Sequence, residues 1–198
     1  MQSTSTTTAS TSATRRALRV TGHIAKSLLF AGLMWAAAAA GELPIPGTPV
    51  PITLQTFVVM MAALMLDWRE AAGAVIAYLA AGAAGLPVFA GGASTAALFG
   101  PSAGFLIGFL PGVIVAALLK GHARTDSFGA SLRTASRYFA ASLLGGVVVV
   151  YLIGFAVQSS LTHVPFGVVA AASMGFVIGD VIKAAVASLA AAGLAHLR

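Results

Sequence analysis

Six long apolar segments restrict the fold of this 198-residue chain more than any other feature of its sequence. A transmembrane helix needs about 20 predominantly apolar residues. Charged residues make up only 8% of the chain, whereas about 25% is usual in soluble domains. We therefore predict an all-α integral membrane protein with six transmembrane helices. The predicted spans are Ile24–Ala40, Thr53–Leu66, Ala71–Leu86, Ala103–Leu119, Ser136–Val157 and Phe166–His196.

The distribution of basic residues predicts the orientation of these helices. Cytoplasmic loops of membrane proteins carry an excess of Lys and Arg. With the N-terminus inside, the predicted inner segments hold ten of the eleven basic residues, and the outer loops 41–51, 87–101 and 158–165 hold none. We therefore expect both termini to be cytoplasmic. The net charge of +6 then reflects topology rather than affinity for nucleic acid.

The first 22 residues differ in composition from the rest of the chain. Ser and Thr fill most of the stretch 3–14, and three arginines follow it by position 19. Because so few of these residues are apolar, we predict a disordered basic N-terminal tail, residues 1–22, and a six-helix membrane domain, residues 23–198. The basic and apolar start also resembles a secretory signal, but we favour a first transmembrane helix, since the remainder would still be embedded in the membrane.

Small residues recur at four-residue spacing in three of the predicted helices, among them Gly175 and Gly179 on the sixth span, and such faces let backbones approach closely in lipid. On the fourth span, where we expect packing inside the bundle, they are Gly100, Gly104, Gly108 and Gly112. On the first span they include Gly32, Ala36 and Ala40. For this stripe on the first span, packing inside the bundle and docking to a separate membrane protein both stay open.

The sequence argues against an enzyme. It contains no Cys, and its four His are scattered without the spacing of metal ligands, so we predict no metal site. The stretch 100–104 matches the G-x-S-x-G pattern of serine hydrolases through Ser102. That pattern requires a strand, a turn and a helix with an acid–base partner, and no His lies in the interior of a predicted span. The sequence also lacks the G-x-x-x-x-G-K-[ST] loop of ATPases.

Asp180 and Lys183 lie three residues apart inside the apolar sixth span. A helix places such residues on one face, and ionisable groups at membrane depth usually face a protein interior or a cavity. One interpretation is a buried pair that neutralises itself, and the other is a binding site. The outer loops 41–51 and 87–101 are rich in Pro and Gly. Rigid loops of this kind either cover a small, mostly apolar ligand or simply cap the bundle.

Several motifs follow one another along the chain between roughly residues 24 and 190. They are Pro49-Val50-Pro51-Ile52-Thr53-Leu54-Gln55-Thr56, then Gly82-Ala83-Ala84-Gly85-Leu86-Pro87-Val88-Phe89-Ala90-Gly91-Gly92, then Gly100-Pro101 with Gly104-Phe105-Leu106-Ile107-Gly108-Phe109, and finally Gly179-Asp180 with Lys183. In order and spacing the motifs resemble the BioY family, the biotin-binding S components of energy-coupling factor (ECF) transporters. The resemblance implies six helices, a biotin pocket that opens outward, and capture of the vitamin without chemistry on it.

The resemblance also implies which residues bind the ligand, because the Asp and Lys of the family's last helix correspond to Asp180 and Lys183. An Asp carboxylate accepts hydrogen bonds from ureido N–H groups, and a Lys ammonium pairs with a carboxylate or donates to the ureido oxygen. The sequence leaves the partner of Lys183 open. The other predicted substrate-binding residues are Thr53 and Gln55 near the outer start of the second span, Tyr78 within the third span, and Phe89, Gly91 and Gly92 in the loop 87–101. We expect Phe89 and Tyr78 to supply apolar walls of the pocket.

Partners follow from the same resemblance. It implies a transmembrane T subunit that meets the first helix at Gly32, Ala36 and Ala40, and two cytoplasmic ATPase subunits. We expect high-affinity biotin uptake by a multi-pass protein of a bacterial inner membrane, embedded in the lipid bilayer, with no cofactor of its own. Homo-oligomerisation stays open. The alternative function is a stand-alone, ion-coupled secondary transporter of a small carboxylate vitamin, with Asp180 as its protonation site.

Overall fold

The structure, a computed structural model, describes the backbone of residues 5–196 and the side chains of residues 20–195. Two short strands and two 3-10 turns lie in loops: β1 Glu42–Leu43, β2 Ile52–Thr53, Ala90–Gly92 and Thr95–Leu98. The rest of the described fold is mainly helical. The α-helices are α1 Ser5–Ala39, α2 Gln55–Met65, α3 Trp68–Ala83, α4 Ala103–Leu119, α5 Phe128–Ser142, α6 Val150–Thr162, α7 Phe166–Ala172 and α8 Met174–His196.

Several of these helices have the length and apolar character of membrane spans. The π-helical segment Leu143–Val149 joins α5 to α6 without a break. Within the described residues, three stretches are long and apolar enough to cross a bilayer: Val20–Ala39, Phe128–Thr162 and Met174–Ala195. Two further helices, α2 and α4, are apolar but shorter. The prediction of a mostly helical membrane protein is confirmed, and the count of six spans stays a prediction.

The predicted sixth span is not one helix, because it is interrupted at Ser173 between α7 and α8, where ψ is 0°. Ile45 belongs to the loop 41–51, which we call the proline-rich loop, and it packs beside this break. Its side chain lies 3.2 Å from the position that a Cβ on Gly175 would occupy. This contact joins residues far apart in the chain, so the local apolar pattern carries no sign of it.

The prediction of a purely helical fold missed the ribbon of β1 and β2. Glu42 pairs with Thr53 and Leu43 pairs with Ile52 in antiparallel register. The proline-rich loop therefore returns on itself, and its two ends are held together at the start of α2. This ribbon places Glu42 and Thr53 side by side.

The first helix extends further toward the N-terminus than the sequence predicts. Its backbone is helical from Ser5, although we predict a disordered tail over residues 1–22. The side chains of residues 1–19 lie outside the described part of the structure. The division into a tail and a membrane domain stays a prediction.

The glycine face of α4 packs inside the bundle, as predicted. A Cβ on Gly104 would stand 2.6 Å from the Cβ of Val157, and one on Gly112 would stand 2.6 Å from the carbonyl oxygen of Gly145. Side chains larger than hydrogen do not fit at these two positions without a shift of the neighbouring helix. The close approach holds α6 and the π-helical segment directly against α4.

A cluster of charged side chains joins α1 to the start of α3. The Lys26 ammonium donates to Oε1 of the buried Glu70 at 2.9 Å, and Nδ1 of His23 lies 2.6 Å from the same oxygen. Asp67 caps α3 by accepting from the backbone N–H of Glu70. Although we predict no metal site, His23, Asp67 and Glu70 bring potential ligand atoms within 4.8 Å of one another. Lys26 already supplies a positive charge at this cluster.

Candidate ligand-binding site

A cavity of about 260 Å³ lies between the proline-rich loop and the helices α2, α4, α6 and α8. Pockets for small ligands commonly measure about 300–1,000 Å³, so this cavity suits a compact molecule. Phe105, Leu106 and Phe109 of α4 form much of its apolar wall. Charged groups line it at two places, with Asp180 and Lys183 on α8 and Glu42 on β1.

Asp180 forms the centre of the polar end of the cavity. Its side chain is only 6% exposed. The Tyr151 hydroxyl donates to Oδ2 at 2.7 Å, and the Thr56 hydroxyl donates to Oδ1 at 2.8 Å. Lys183 Nζ lies 2.8 Å from Oδ1. Because charge-assisted hydrogen bonds are short and directional, these donors on three helices fix the orientation of the carboxylate.

Lys183 is the second member of this network. Its ammonium donates to the backbone carbonyl of Thr53 at 2.6 Å, to the Thr56 hydroxyl at 3.0 Å and to Asp180 Oδ1. A Lys ammonium has three N–H donors, so these contacts use all of them. The spacing argument correctly placed Asp180 and Lys183 on one cavity-facing side of the last helix, and it did not reveal how completely Lys183 is satisfied.

An aromatic cluster surrounds the polar end. The ring of Phe105 packs edge-to-face against Tyr151, with centroids 6.3 Å apart, and against Phe176, with centroids 6.1 Å apart. Phe155 packs behind them at 5.8 Å from Phe105. Such rings offer large, flat apolar surfaces of fixed geometry. The cavity therefore suits a ligand with a flat, compact ring and hydrogen-bond donors at one end.

Gln55 and Tyr78 connect the cavity to the structure behind it. Thr53 donates to Gln55 Oε1 at 2.9 Å, Gln55 Nε2 donates to the Tyr78 hydroxyl, and that hydroxyl donates to the carbonyl oxygen of Val88 at 2.9 Å. Thr53, Gln55 and Phe89 line the cavity, but Tyr78 is not among the described lining residues. Tyr78 packs edge-to-face behind Phe89 at 5.3 Å. Tyr78 therefore does not form the predicted wall of the pocket in the described structure, whereas Phe89 does.

Gly91 and Gly92 shape the loop without lining the cavity in the described structure. Both have positive φ, of 65° and 73°, which L side chains rarely adopt. Their neighbours Ala90 and Ala93 line the cavity instead. We conclude that the glycines turn the chain so that the adjacent residues reach the cavity.

Three cavity residues were missed as site residues. Thr56 and Tyr151 are polar residues in apolar spans, and such residues most often bond a neighbouring backbone; here both bond Asp180. The isolation of Tyr151 in an apolar stretch was an available signal, whereas Thr56 follows the polar residues Thr53 and Gln55. Glu42 lines the cavity and is exposed, and we call this exposed part of the cavity its mouth. Glu42 is the sole acidic residue of the predicted outer loops, which was also visible in the sequence.

Comparison with known proteins agrees with this geometry. The family model for the BioY family matches residues 5–198. The chain belongs to the BioY family. It is 36% identical over 170 residues to a biotin transporter BioY of Rhizobium etli, which spans 85% of this chain and 90% of that protein. It is 35% identical over 176 residues to a biotin transporter BioY of Thermotoga maritima, over 87% and 97% of the two chains.

A solved structure has the same fold as this BioY chain. It is the crystal structure at 2.1 Å of the S-component for biotin from an ECF-type ABC transporter. The two structures align with a TM-score of 0.79 at 28% identity, over 89% of this chain and 92% of the other.

A BioY protein is a transport protein and not an enzyme, and the surroundings of Ser102 agree with that class. Ser102 lines the cavity just before α4, and no His is among the described lining residues. Among the described lining residues, Ser102 therefore has no partner for the Ser–His pair that activates many hydrolytic serines. Ser102 precedes the helix without capping it through its side chain.

The small-residue stripe on α1 of this BioY chain faces outward. Gly32, Ala36 and Ala40 are exposed, and a Cβ on Gly32 would meet nothing within 4 Å. On the opposite side of α1, Ser27 packs at 3.1 Å from the Cβ position of Gly73 on α3. The inner side of α1 thus packs on α3, and the stripe stays accessible.

Proposed function

We propose that this BioY chain is the biotin-binding S component of an ECF-type transporter. It captures biotin from outside and delivers it inward together with a transmembrane T subunit and two ATPase subunits. The observation that carries the proposal is Asp180, whose carboxylate is held by three donors beside an aromatic cavity. The stand-alone, ion-coupled alternative has no comparable support, because the matched solved structure is an S-component.

The hydrogen bonds of the site support one orientation of biotin. Among the described contacts, Asp180 Oδ2 accepts only from Tyr151, and a carboxylate oxygen can accept a second hydrogen bond. Lys183 has no N–H left to donate. The polar end can therefore accept a hydrogen bond from the ligand more readily than it can donate one. A ureido N–H group, which is a donor, fits such an acceptor. The fused rings then contact Phe105 and Phe176, and the carboxyl end points toward the mouth.

The predicted topology belongs to the same proposal. Six spans with both termini in the cytoplasm place the proline-rich loop outside a bacterial inner membrane, and the cavity lies directly beneath that loop. Biotin would then reach the cavity from the outer side. We propose that this chain uses no cofactor of its own and that ATP is hydrolysed only by its partners, since its sequence contains no phosphate-binding loop of the ATPase type.

The exposed stripe Gly32, Ala36 and Ala40 is the proposed contact with the T subunit. Small residues let two helices approach closely in a bilayer. The flanking residues Leu29, Leu33 and Trp35 are also exposed and large, so they would border such a contact. The stripe and the cavity are separate, and binding and transport are therefore separable by mutation.

Titration of the purified protein with biotin tests the function. We expect saturable binding by the wild type and at least about tenfold weaker binding by Asp180→Asn, since a hydrogen bond to a charged group contributes about 1.5–3 kcal/mol. Asp126→Asn is the matched control, because Asp126 is exposed and remote from the cavity. The proposal fails if the wild type does not bind biotin. Uptake by cells without a T subunit or ATPases would instead support the stand-alone alternative.

A further inference from the structure

We infer that Glu42 selects ligands by the charge at their carboxyl end. According to this inference, the site accepts amide conjugates of biotin with an amine, such as biotin joined to the side chain of lysine, in addition to free biotin. The inference rests on the proposed function and on the orientation of the ligand derived above. Glu42, at the mouth, would distinguish an anionic from a neutral or cationic ligand.

The ribbon of β1 and β2 holds Glu42 on the exposed part of the cavity that we call its mouth. Glu42 pairs in register with Thr53, whose carbonyl oxygen accepts from Lys183 at the polar end. On its other side, both carboxylate oxygens of Glu42 lie 3.4 Å from the position that a Cβ on Gly91 would occupy. The residue lines the cavity and is itself exposed. Its carboxylate therefore lies on the exposed part of the cavity wall, between the ribbon and the loop 87–101.

The charges around the cavity do not balance at the mouth. Lys183 and Asp180 lie 2.8 Å apart and compensate each other. Glu42 makes no ion pair within the described side chains, and the outer loops 41–51, 87–101 and 158–165 contain no Lys or Arg in the sequence. A ligand carboxylate that reaches the mouth thus meets the negative charge of Glu42 and no Lys or Arg from these loops.

The sign of the effect follows from Coulomb's law. A free carboxylate near Glu42 is repelled, a neutral amide is not, and an amide that carries a terminal ammonium is attracted. Because Glu42 is exposed, water and salt weaken each effect, and exposed charge pairs change an equilibrium constant by roughly two- to fivefold. Because Glu42 affects the two charged ligands in opposite directions, the ratio of their affinities responds to the charge of Glu42 more strongly than either affinity alone.

Competition titration with three ligands tests the inference on the full-length protein in detergent or nanodiscs. The ligands are biotin, which is anionic, biotinamide, which is neutral, and the amide of biotin with 1,5-diaminopentane, which is cationic. We expect Glu42→Gln to tighten biotin roughly twofold, to weaken the cationic amide by roughly two- to fivefold, and to leave biotinamide unchanged. Glu42→Asp should keep the wild-type order of affinities. Asp126→Asn removes one exposed negative charge far from the mouth and should change none of the three.

The outcomes separate the inference from the proposed function. If the wild type binds biotin but Glu42→Gln leaves the ratio of the affinities for biotin and for the cationic amide unchanged, the inference is wrong and the proposed function stands. Weaker binding of biotin by Glu42→Gln also overturns it, because Glu42 would then accept a hydrogen bond from the ureido group. If the wild type binds neither biotin nor biotinamide, the proposed function fails and the inference fails with it. High salt should reduce the difference between the charged ligands in the wild type.

Discussion

The Tyr151 hydroxyl donates a 2.7 Å hydrogen bond to Asp180 Oδ2 and so ties α6 to α8 beside the cavity. Tyr151 stands on the helix that packs against the glycine face of α4. The close contact at Gly104 sets the approach of α6 to α4 and so contributes to the position of Tyr151. The oxygen that it contacts is the one that we propose accepts the ureido N–H.

We predict that Tyr151→Phe weakens biotin binding by about tenfold. The substitution keeps the ring but removes the donor that orients the Asp180 carboxylate, and a hydrogen bond to a charged group contributes about 1.5–3 kcal/mol. The measurement is the dissociation constant of biotin. Tyr138→Phe is the control, because Tyr138 is a buried tyrosine of α5 outside the cavity lining. Equal affinities of Tyr151→Phe and wild type would contradict the proposed site.

The sequence predicted the central pair of the site but only part of its surroundings. Asp180 and Lys183 were assigned because a helix places i and i+3 on one face and charges in apolar spans are costly. Thr56 lies 124 residues from Asp180 in the chain, and no local spacing predicts such a contact. Tyr78 was assigned to the pocket wall although it lies behind Phe89, because its rotation about the axis of α3 depends on tertiary packing.

The fold shows the same division between local and distant information. Apolar segments located the helices because burial in lipid requires long apolar stretches. The glycine face of α4 predicted close packing, which Gly112 and Gly145 confirm. The break at Ser173 and the pairing of Glu42 with Thr53 both depend on where the proline-rich loop folds back. Contacts of that kind are long-range, and a periodic pattern in one segment does not encode them.

We predict that Lys183→Met alone destabilises the protein, because it leaves the buried Asp180 carboxylate without its positive partner. Breaking a buried ion pair in this way commonly costs about 3–5 kcal/mol. The double variant Asp180→Asn/Lys183→Met should recover much of that loss. The measurement is the thermal midpoint in detergent, with the biotin dissociation constant determined in parallel.

The double variant also distinguishes a structural pair from a binding site. We expect it to be folded and to bind biotin at least about tenfold more weakly than wild type, because the amide of Asn replaces a charged acceptor. If the double variant instead binds biotin as tightly as wild type, the pair serves only the stability of the bundle. Asp126→Asn again serves as the control for a loss of charge.

Stability should fall in acid through Glu70, which lies ahead of the predicted third span. Burial by itself raises the pKa of Glu70, but the hydrogen bonds from Lys26, from the Asp67 backbone and from His23 outweigh it and hold the pKa below its ordinary value. A folded-state pKa below the unfolded one stabilises the protein at neutral pH, and this contribution is lost as the pH falls through the folded-state pKa. We expect Glu70→Gln to unfold at a lower temperature than wild type at pH 7, with the difference vanishing in acid. A constant difference across the pH range would refute this assignment, and Asp126→Asn should show little difference at any pH.

Substitution of Ala36 by Leu should abolish biotin uptake by cells while leaving biotin binding by the purified chain intact. Ala36 belongs to the exposed stripe on α1, and a larger side chain there would keep a partner helix from approaching closely. Ala140→Leu is the matched control, because Ala140 is an exposed alanine on α5 away from the stripe, and it should transport normally. The measurements are cellular uptake of labelled biotin, co-purification with the T subunit, and the dissociation constant of biotin. Normal uptake by Ala36→Leu would rule out the stripe as the docking surface, whereas loss of binding would show that α1 supports the cavity itself.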